Sequence, residues 1–233
     1  MFTKIAVIGT GNIGSWMFQT FHSQSNLSVV SVSGRKIETL PNDLDLYIFA
    51  LKDDIYEEVL KKIPFKMLYA VHTSGSLSQL ILSPYAENYG VFYPYQTISR
   101  GSLYIDIPIC IEGNNIFFEN LLIQWAKLYF ATVYQINEKQ RFAMHLAAVF
   151  ASNFTNAMYG IAYHIFKENN LDWSLIFPLL ENTLQKAKYN DPHLCQTGPA
   201  KRNDISIMEK HCNALTDKKI KNLYSTVSKI ITN

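Results

Sequence analysis

Six residues near the amino terminus, Gly9-Thr10-Gly11-Asn12-Ile13-Gly14, have the spacing GxGxxG. A β-branched run, Lys4 to Ile8, precedes them, and a helical pattern, Ile13 to His22, follows. In that context the loop is expected to cradle a pyrophosphate. Gly9 permits the tight turn, Gly11 lets the backbone approach the ligand, and Gly14 lets the helix pack close to the strand. The free N–H groups and positive dipole end of the helix would then face the anion. No acidic residue lies between Gly14 and Glu38, where an NAD site carries the carboxylate that takes the ribose hydroxyls. Ser33-Gly34-Arg35-Lys36 stands there instead. One hydroxyl donor and two cations suit a 2′-phosphate, so the expected cofactor is NADP(H).

A second group of polar residues interrupts an apolar segment, Leu146 to Ala151. At about 100° per residue, His145, Ser152 and Asn156 fall on one stripe of a helix. Burying them costs free energy unless each finds a partner. A substrate carbonyl or imine, or the nicotinamide amide, is one such partner. His145 would then act as general acid while hydride arrives at carbon, and Asn156 would orient the reacting group. The alternative is a set of satisfied contacts inside a helical bundle or at a dimer interface. Farther on, Cys195 to Asp204 is expected to form a polar loop leading to a helix, its shape fixed by Gly198 and Pro199. Its Arg202 can clamp a carboxylate or phosphate, or pair locally with Asp204.

The elements that must position these groups alternate in the first half. Strand-like runs are expected at Lys4–Ile8, Leu27–Val32, Asp45–Leu51, Met67–Val71, Gly90–Phe92, Ile107–Ile111 and Thr132–Ile136, with helices at Ile13–His22 and Asp54–Lys62. This rhythm predicts an α/β, doubly wound, mostly parallel sheet. Ligands bind such sheets beyond the carboxyl ends of the strands. Ala50-Leu51-Lys52 and His72-Thr73-Ser74-Gly75 end the third and fourth strands and are expected to line the nicotinamide half of the cofactor. From Asn137 onward no strand is expected. The helical segments are Asn137–Lys167, Asp172–Lys188, Asp204–Leu215 and Asp217–Ile231, with Pro178 predicting a kink or a late start. Two domains follow: a dinucleotide-binding domain over 1–136 and an all-helical substrate and dimerisation domain over 137–233.

The chain has 233 residues, a 48% hydrophobic composition and a net charge of only +2. That argues for a globular protein and against a dedicated nucleic-acid binder. No apolar run approaches the roughly 18 residues of a membrane span. Three scattered cysteines make no disulfide framework, and a cytoplasmic location is expected. His193, Cys195, His211 and Cys212 match no zinc spacing, and no GxSxG elbow is present, so neither a metal site nor a hydrolase is expected.

The first half resembles the Rossmann domains of pyrroline-carboxylate reductase and the deazaflavin-dependent NADP reductases. The whole chain resembles a family of NADP oxidoreductases with a Rossmann-like domain and a C-terminal helical domain of unknown function. The matching pieces are the Gly9–Gly14 loop, DLYIFALKDD (Asp45 to Asp54), HTSGS (His72 to Ser76), FYPYQTIS (Phe92 to Ser99), HLAAVFASNFTN (His145 to Asn156) and QTGPAKRND (Gln196 to Asp204). The chain departs from the family at Tyr93-Pro94, where a His-Pro pair is common. The resemblance implies a C-terminal domain like that of 6-phosphogluconate dehydrogenase. It also implies a homodimer formed through the helical domain and a substrate cleft between the two domains. The expected activity is hydride transfer between NADP(H) and a small carbonyl, imine or hydroxy substrate. The alternative is a non-catalytic NADP(H)-binding sensor or regulatory module.

Overall fold

The computed structural model describes residues 1–99 and 106–232. It begins with β1 (Lys4–Ile8), α1 (Asn12–His22), β2 (Ser28–Val32) and β3 (Leu46–Phe49). There follow α2 (Tyr56–Leu60), β4 (Met67–His72), β5 (Ala86–Pro94), β6 (Ile109–Gly113), α3 (Ile116–Ala126) and β7 (Val133–Gln135). The seven strands form one sheet in the order β2-β1-β3-β4-β5-β6-β7. Every neighbouring pair is parallel except β5 and β6, which pair antiparallel with Tyr93 opposite Cys110. The α/β, doubly wound, mostly parallel expectation is met.

The first strands are apolar on both faces, as a sheet covered on both sides requires. One face packs Ile5, Val7, Ile48 and Val71 with Phe21 and Trp125, from α1 and α3. The other packs Ala6, Ile8, Tyr47 and Phe49 with Tyr56 and Leu60 of α2. The helix α3 lies in a stretch for which the sequence reading proposes no element. Asn115 caps it by accepting from the Phe118 N–H at 2.9 Å.

The remaining helices are α4 (Glu138–Ala148), α5 (Thr155–Glu168), α6 (Phe177–Tyr189), α7 (Ile205–Ala214) and α8 (Lys218–Thr232). Asn137 and Gln140 form a reciprocal capping box that starts α4. A π-helical segment, Val149–Phe154, joins α4 to α5. Pro178 falls in the first turn of α6, where its missing N–H leaves no bond unmade, so the helix starts late rather than kinking. Strands end at Gln135, but packing divides the chain elsewhere, into compact units Met1–Asn153 and Phe154–Asn233. The first helix of the helical region is therefore grouped with the sheet. Among the described residues, no helix is long and apolar enough to cross a membrane, and no cluster of His, Cys, Asp or Glu is arranged to hold a metal.

Candidate cofactor and catalytic site

The carboxyl ends of β1, β2 and β3 converge on Gly9, whose N–H donates to the Val32 carbonyl at 2.8 Å. Gly9 adopts φ +122°, a conformation open to glycine but costly for other residues. A Cβ there would collide with the Ala50 carbonyl oxygen, and a Cβ at Gly14 would collide with the carbonyl oxygen of Gly9. These two glycines hold the turn together. Gly11 differs: a Cβ added to it meets nothing within 4 Å. Nothing in the protein's own packing requires glycine at that position. No side chain caps the start of α1, and no acidic residue lies in its first turn. Bare N–H groups beside open space above Gly11 fit a bound pyrophosphate. Thr10 and Asn12 are exposed on the same loop, and Ile13 is half-buried beneath it.

Ser33 follows β2 and accepts from the Arg35 N–H at 3.3 Å, which leaves its hydroxyl proton free to donate. Gly34 lies against Leu51, whose side chain would be 3.2 Å from an added Cβ. Arg35 and Lys36 are exposed, and neither makes an ion pair among the described residues. Lys52, at the end of β3, is exposed as well. The residues expected to hold the cofactor thus gather at one end of the sheet.

The loop after β4 is more committed to its own structure than its sequence suggests. His72 is fully buried, and its Nδ1 accepts from the Ser74 N–H at 3.2 Å. Burial, with the Arg141 charge nearby, pushes this imidazole down to about 3, so it stays neutral. Ser74 Oγ accepts from the N–H groups of Ser76 and Leu77, both at 3.1 Å, and the Ser76 hydroxyl bonds the Asp53 carboxylate. Thr73 is buried, with its N–H donating to the Phe49 carbonyl.

Arg141, on α4, holds this loop from behind and is absent from the sequence reading. Its side chain is fully buried. It donates to the carbonyls of Ser74 at 3.1 Å and Leu77 at 2.7 Å, and to Glu112 Oε2 at 3.2 Å. Gln79 donates to the other Glu112 oxygen at 3.2 Å. Burial raises the Glu112 carboxyl above the usual carboxylate range, and Arg141 opposes the rise. One signal was available in the sequence: Arg141 and His145 are four residues apart and so share a helix face.

On that face the His145 ring rests on Gly75. A Cβ at residue 75 would lie 2.6 Å from His145 Nδ1 and 2.8 Å from its Cγ. His145 is half-buried, and its Nδ1 is 3.2 Å from the Tyr93 hydroxyl. Ser152, also half-buried, meets the Thr97 hydroxyl at 2.8 Å. The π-helical segment Val149–Phe154 winds by i→i+5 bonds, so the 100° spacing behind the His145, Ser152 and Asn156 stripe does not hold through it. His145 and Ser152 belong to the first unit, and Asn156 and Arg202 belong to the second. Asn156 and Arg202 are both exposed, and the Arg202 N–H donates to the Gly198 carbonyl at 3.3 Å.

A family profile described as "Domain of unknown function (DUF2520)" matches residues 107–231, more than half of the chain. The chain belongs to the DUF2520 family. Among solved structures, this DUF2520 protein is similar to a Bacteroides fragilis protein provisionally named an NADP oxidoreductase. Identity is 28%, the TM-score is 0.87, and the match covers 99% of this chain and 98% of that one. It shares its fold with 1-pyrroline-5-carboxylate reductase of Streptococcus pyogenes, at 14% identity and TM-score 0.61, covering 98% of each chain. It also shares it with the Plasmodium falciparum pyrroline carboxylate reductase, solved with NADP bound, at 13% identity and TM-score 0.55. That match covers 100% of this chain and 98% of the other. No curated protein matches the DUF2520 chain by sequence.

Proposed function

We propose that this protein is an NADP(H)-dependent oxidoreductase acting on a small carbonyl, imine or hydroxy compound. The observation that carries the reading is the loop at Gly9, Gly11 and Gly14. Two of its glycines are demanded by packing, while the third opens onto space beside an uncapped helix start. The similarity to a Bacteroides fragilis protein named for NADP and to a reductase solved with NADP supports the same cofactor. When bound, the nicotinamide supplies or accepts the hydride. The Thr10 to Ile13 backbone binds pyrophosphate, and Ser33, Arg35 and Lys36 bind the 2′-phosphate. The ends of β3 and β4, from Ala50 to Lys52 and from His72 to Gly75, border the nicotinamide. His145 bonds and polarises the reacting oxygen or nitrogen. Ser152, on the same unit, contacts the rest of the substrate.

The protein works in this reading as a homodimer formed through its helical unit. Among the described residues of that unit only Ile176 and Ala200 are buried. Leu175, Leu179, Leu184 and Ile230 are each more than 60% exposed. Monomers rarely leave so much apolar surface in water, and a second copy would cover it. Sedimentation of a monomer at micromolar concentration would refute this part.

The test of the cofactor is a parallel fluorescence titration with NADPH and NADH. NADPH is expected to bind at least tenfold more tightly, and the R35E/K36E double variant should abolish the preference. Equal affinities would overturn the 2′-phosphate assignment. Binding of neither nucleotide would overturn the oxidoreductase reading.

A further inference from the structure

On β5, Tyr93 precedes Pro94. Side chains two apart on a strand share a face. Tyr93 and Tyr95 accordingly both reach α4, where Tyr95 donates to the Met144 carbonyl at 3.2 Å and Tyr93 meets His145. The Tyr93 and His145 rings stand edge to face, with centroids 6.2 Å apart.

We propose that Tyr93 is a positioning residue for His145: its hydroxyl donates to Nδ1 and so holds the ring proton on Nε2. This deepens the proposed function and rests on it where substrate is concerned.

The direction of the bond follows from what each atom has left to pair with. Tyr93 is only 8% exposed, and His145 is its one hydrogen-bond partner among the described residues. If the phenol oxygen accepted from Nδ1–H, no described residue would take the phenol's own proton. Leaving a buried donor unpaired costs more than a hydrogen bond returns. If the phenol donates, its proton is satisfied and Nδ1 is bare. Burial also lifts the phenol to about 12, which keeps its proton in place at neutral pH. Gly75 completes the arrangement, because any side chain there would push the ring off Tyr93.

Nε2–H is then the donor that remains. No described residue bonds Nε2, and the ring is half-exposed. A neutral N–H of this kind polarises a carbonyl or imine as a hydrogen-bond donor. Hydride added to an iminium carbon gives the amine with no further proton. Hydride added to a carbonyl leaves an alkoxide that takes one proton from water. In neither case must the ring lose its own proton.

The experiment is a long-range proton–nitrogen NMR spectrum of the full-length protein labelled with 15N-histidine, recorded at pH 8 without any ligand. The expected result is His145 with a protonated Nε2 and a bare Nδ1. In Y93F the ratio of the two tautomers should move toward Nδ1–H by about five-fold, the equilibrium weight of one net hydrogen bond. G75A should produce the same change by displacing the ring. A wild-type His145 protonated on Nδ1 overturns the inference, and so does a Y93F ratio equal to wild type. The measurement needs no cofactor. A failure to bind NADPH would therefore sink the proposed function and leave this result standing, and the converse also holds.

Discussion

Replacing Arg141 with methionine keeps the bulk of the side chain and removes its charge. In the folded protein this strands Glu112, whose side chain is 10% exposed, with Gln79 and the Glu138 backbone N–H left beside it. It also frees the Ser74 and Leu77 carbonyls. Breaking a buried pair from one side costs about 3–5 kcal/mol, because a charge is left without its partner. For a chain of this size each kcal/mol moves the melting temperature by about 2–4 °C, so R141M should melt roughly 6–20 °C lower. Adding E112L should recover part of that loss, since no charge is then stranded. The defect should also depend on pH. Burial raises the folded Glu112 carboxyl, and losing Arg141 raises it further. Between the unfolded value, about 4.3, and the raised folded value, folded R141M holds a proton that the unfolded chain has lost. The variant's stability therefore falls as pH rises through that window, and R141M should sit closer to wild type at pH 5 than at pH 8. Calorimetry of the single and double variants at both pH values is the assay. A loss under about 1 kcal/mol, the size of an exposed ion pair, would refute the reasoning. A double variant no more stable than R141M would do the same.

G11A should fold with stability within about 0.5 kcal/mol of wild type, since its Cβ meets nothing, yet lose most NADPH affinity in the fluorescence titration. G14A should instead lose stability outright, by more than about 2 kcal/mol in a urea melt, because its Cβ overlaps the Gly9 carbonyl oxygen. His72, held down to about 3, contributes stability that is complete above its unfolded value of about 6.5 and is lost as pH falls toward 3. The acid limb of the wild-type stability curve should therefore flatten in H72Q, by about 1.4 kcal/mol per pH unit, and parallel limbs in the two proteins would show that His72 is not buried neutral.

What the sequence made legible were features carried by local pattern. The Gly9–Gly14 spacing, the strand runs through β4 and the late start of α6 at Pro178 all follow from rules that act within a few residues. The helix α3 escaped because IFFENLLIQWA is apolar along most of its length. Its three-dimensional surroundings, sheet on one side and Phe21 and Tyr129 beside Trp125, explain a breadth of apolar surface that periodicity alone cannot assign. The π-helical segment escaped for a different reason. Helical spacing does not carry through Val149–Phe154, a stretch whose composition gives no cue to a change of winding.

The candidate site was legible as a set of residues but not as a set of partnerships. His72 and Ser74 look from the sequence like two polar groups offered to a ligand. In the fold the Ser74 N–H donates to the His72 ring, and the Ser74 hydroxyl accepts from the loop backbone. His145 looks like a lone histidine in an apolar helix. It is instead a ring resting on Gly75 and tied to Tyr93, a residue 52 positions away. Arg141 gave only a weak sign of its importance, its place four residues before His145, since an arginine in the first turns of a helix is usually solvated. Its role depends on Glu112, which sits 29 residues earlier on β6, the strand paired antiparallel to β5. Long-range pairing of this kind leaves no trace in spacing. It appears only when the strand that carries the acid and the helix that carries the base are brought to the same loop. That is why the residues that hold the site in shape were harder to read than those expected to touch the ligand.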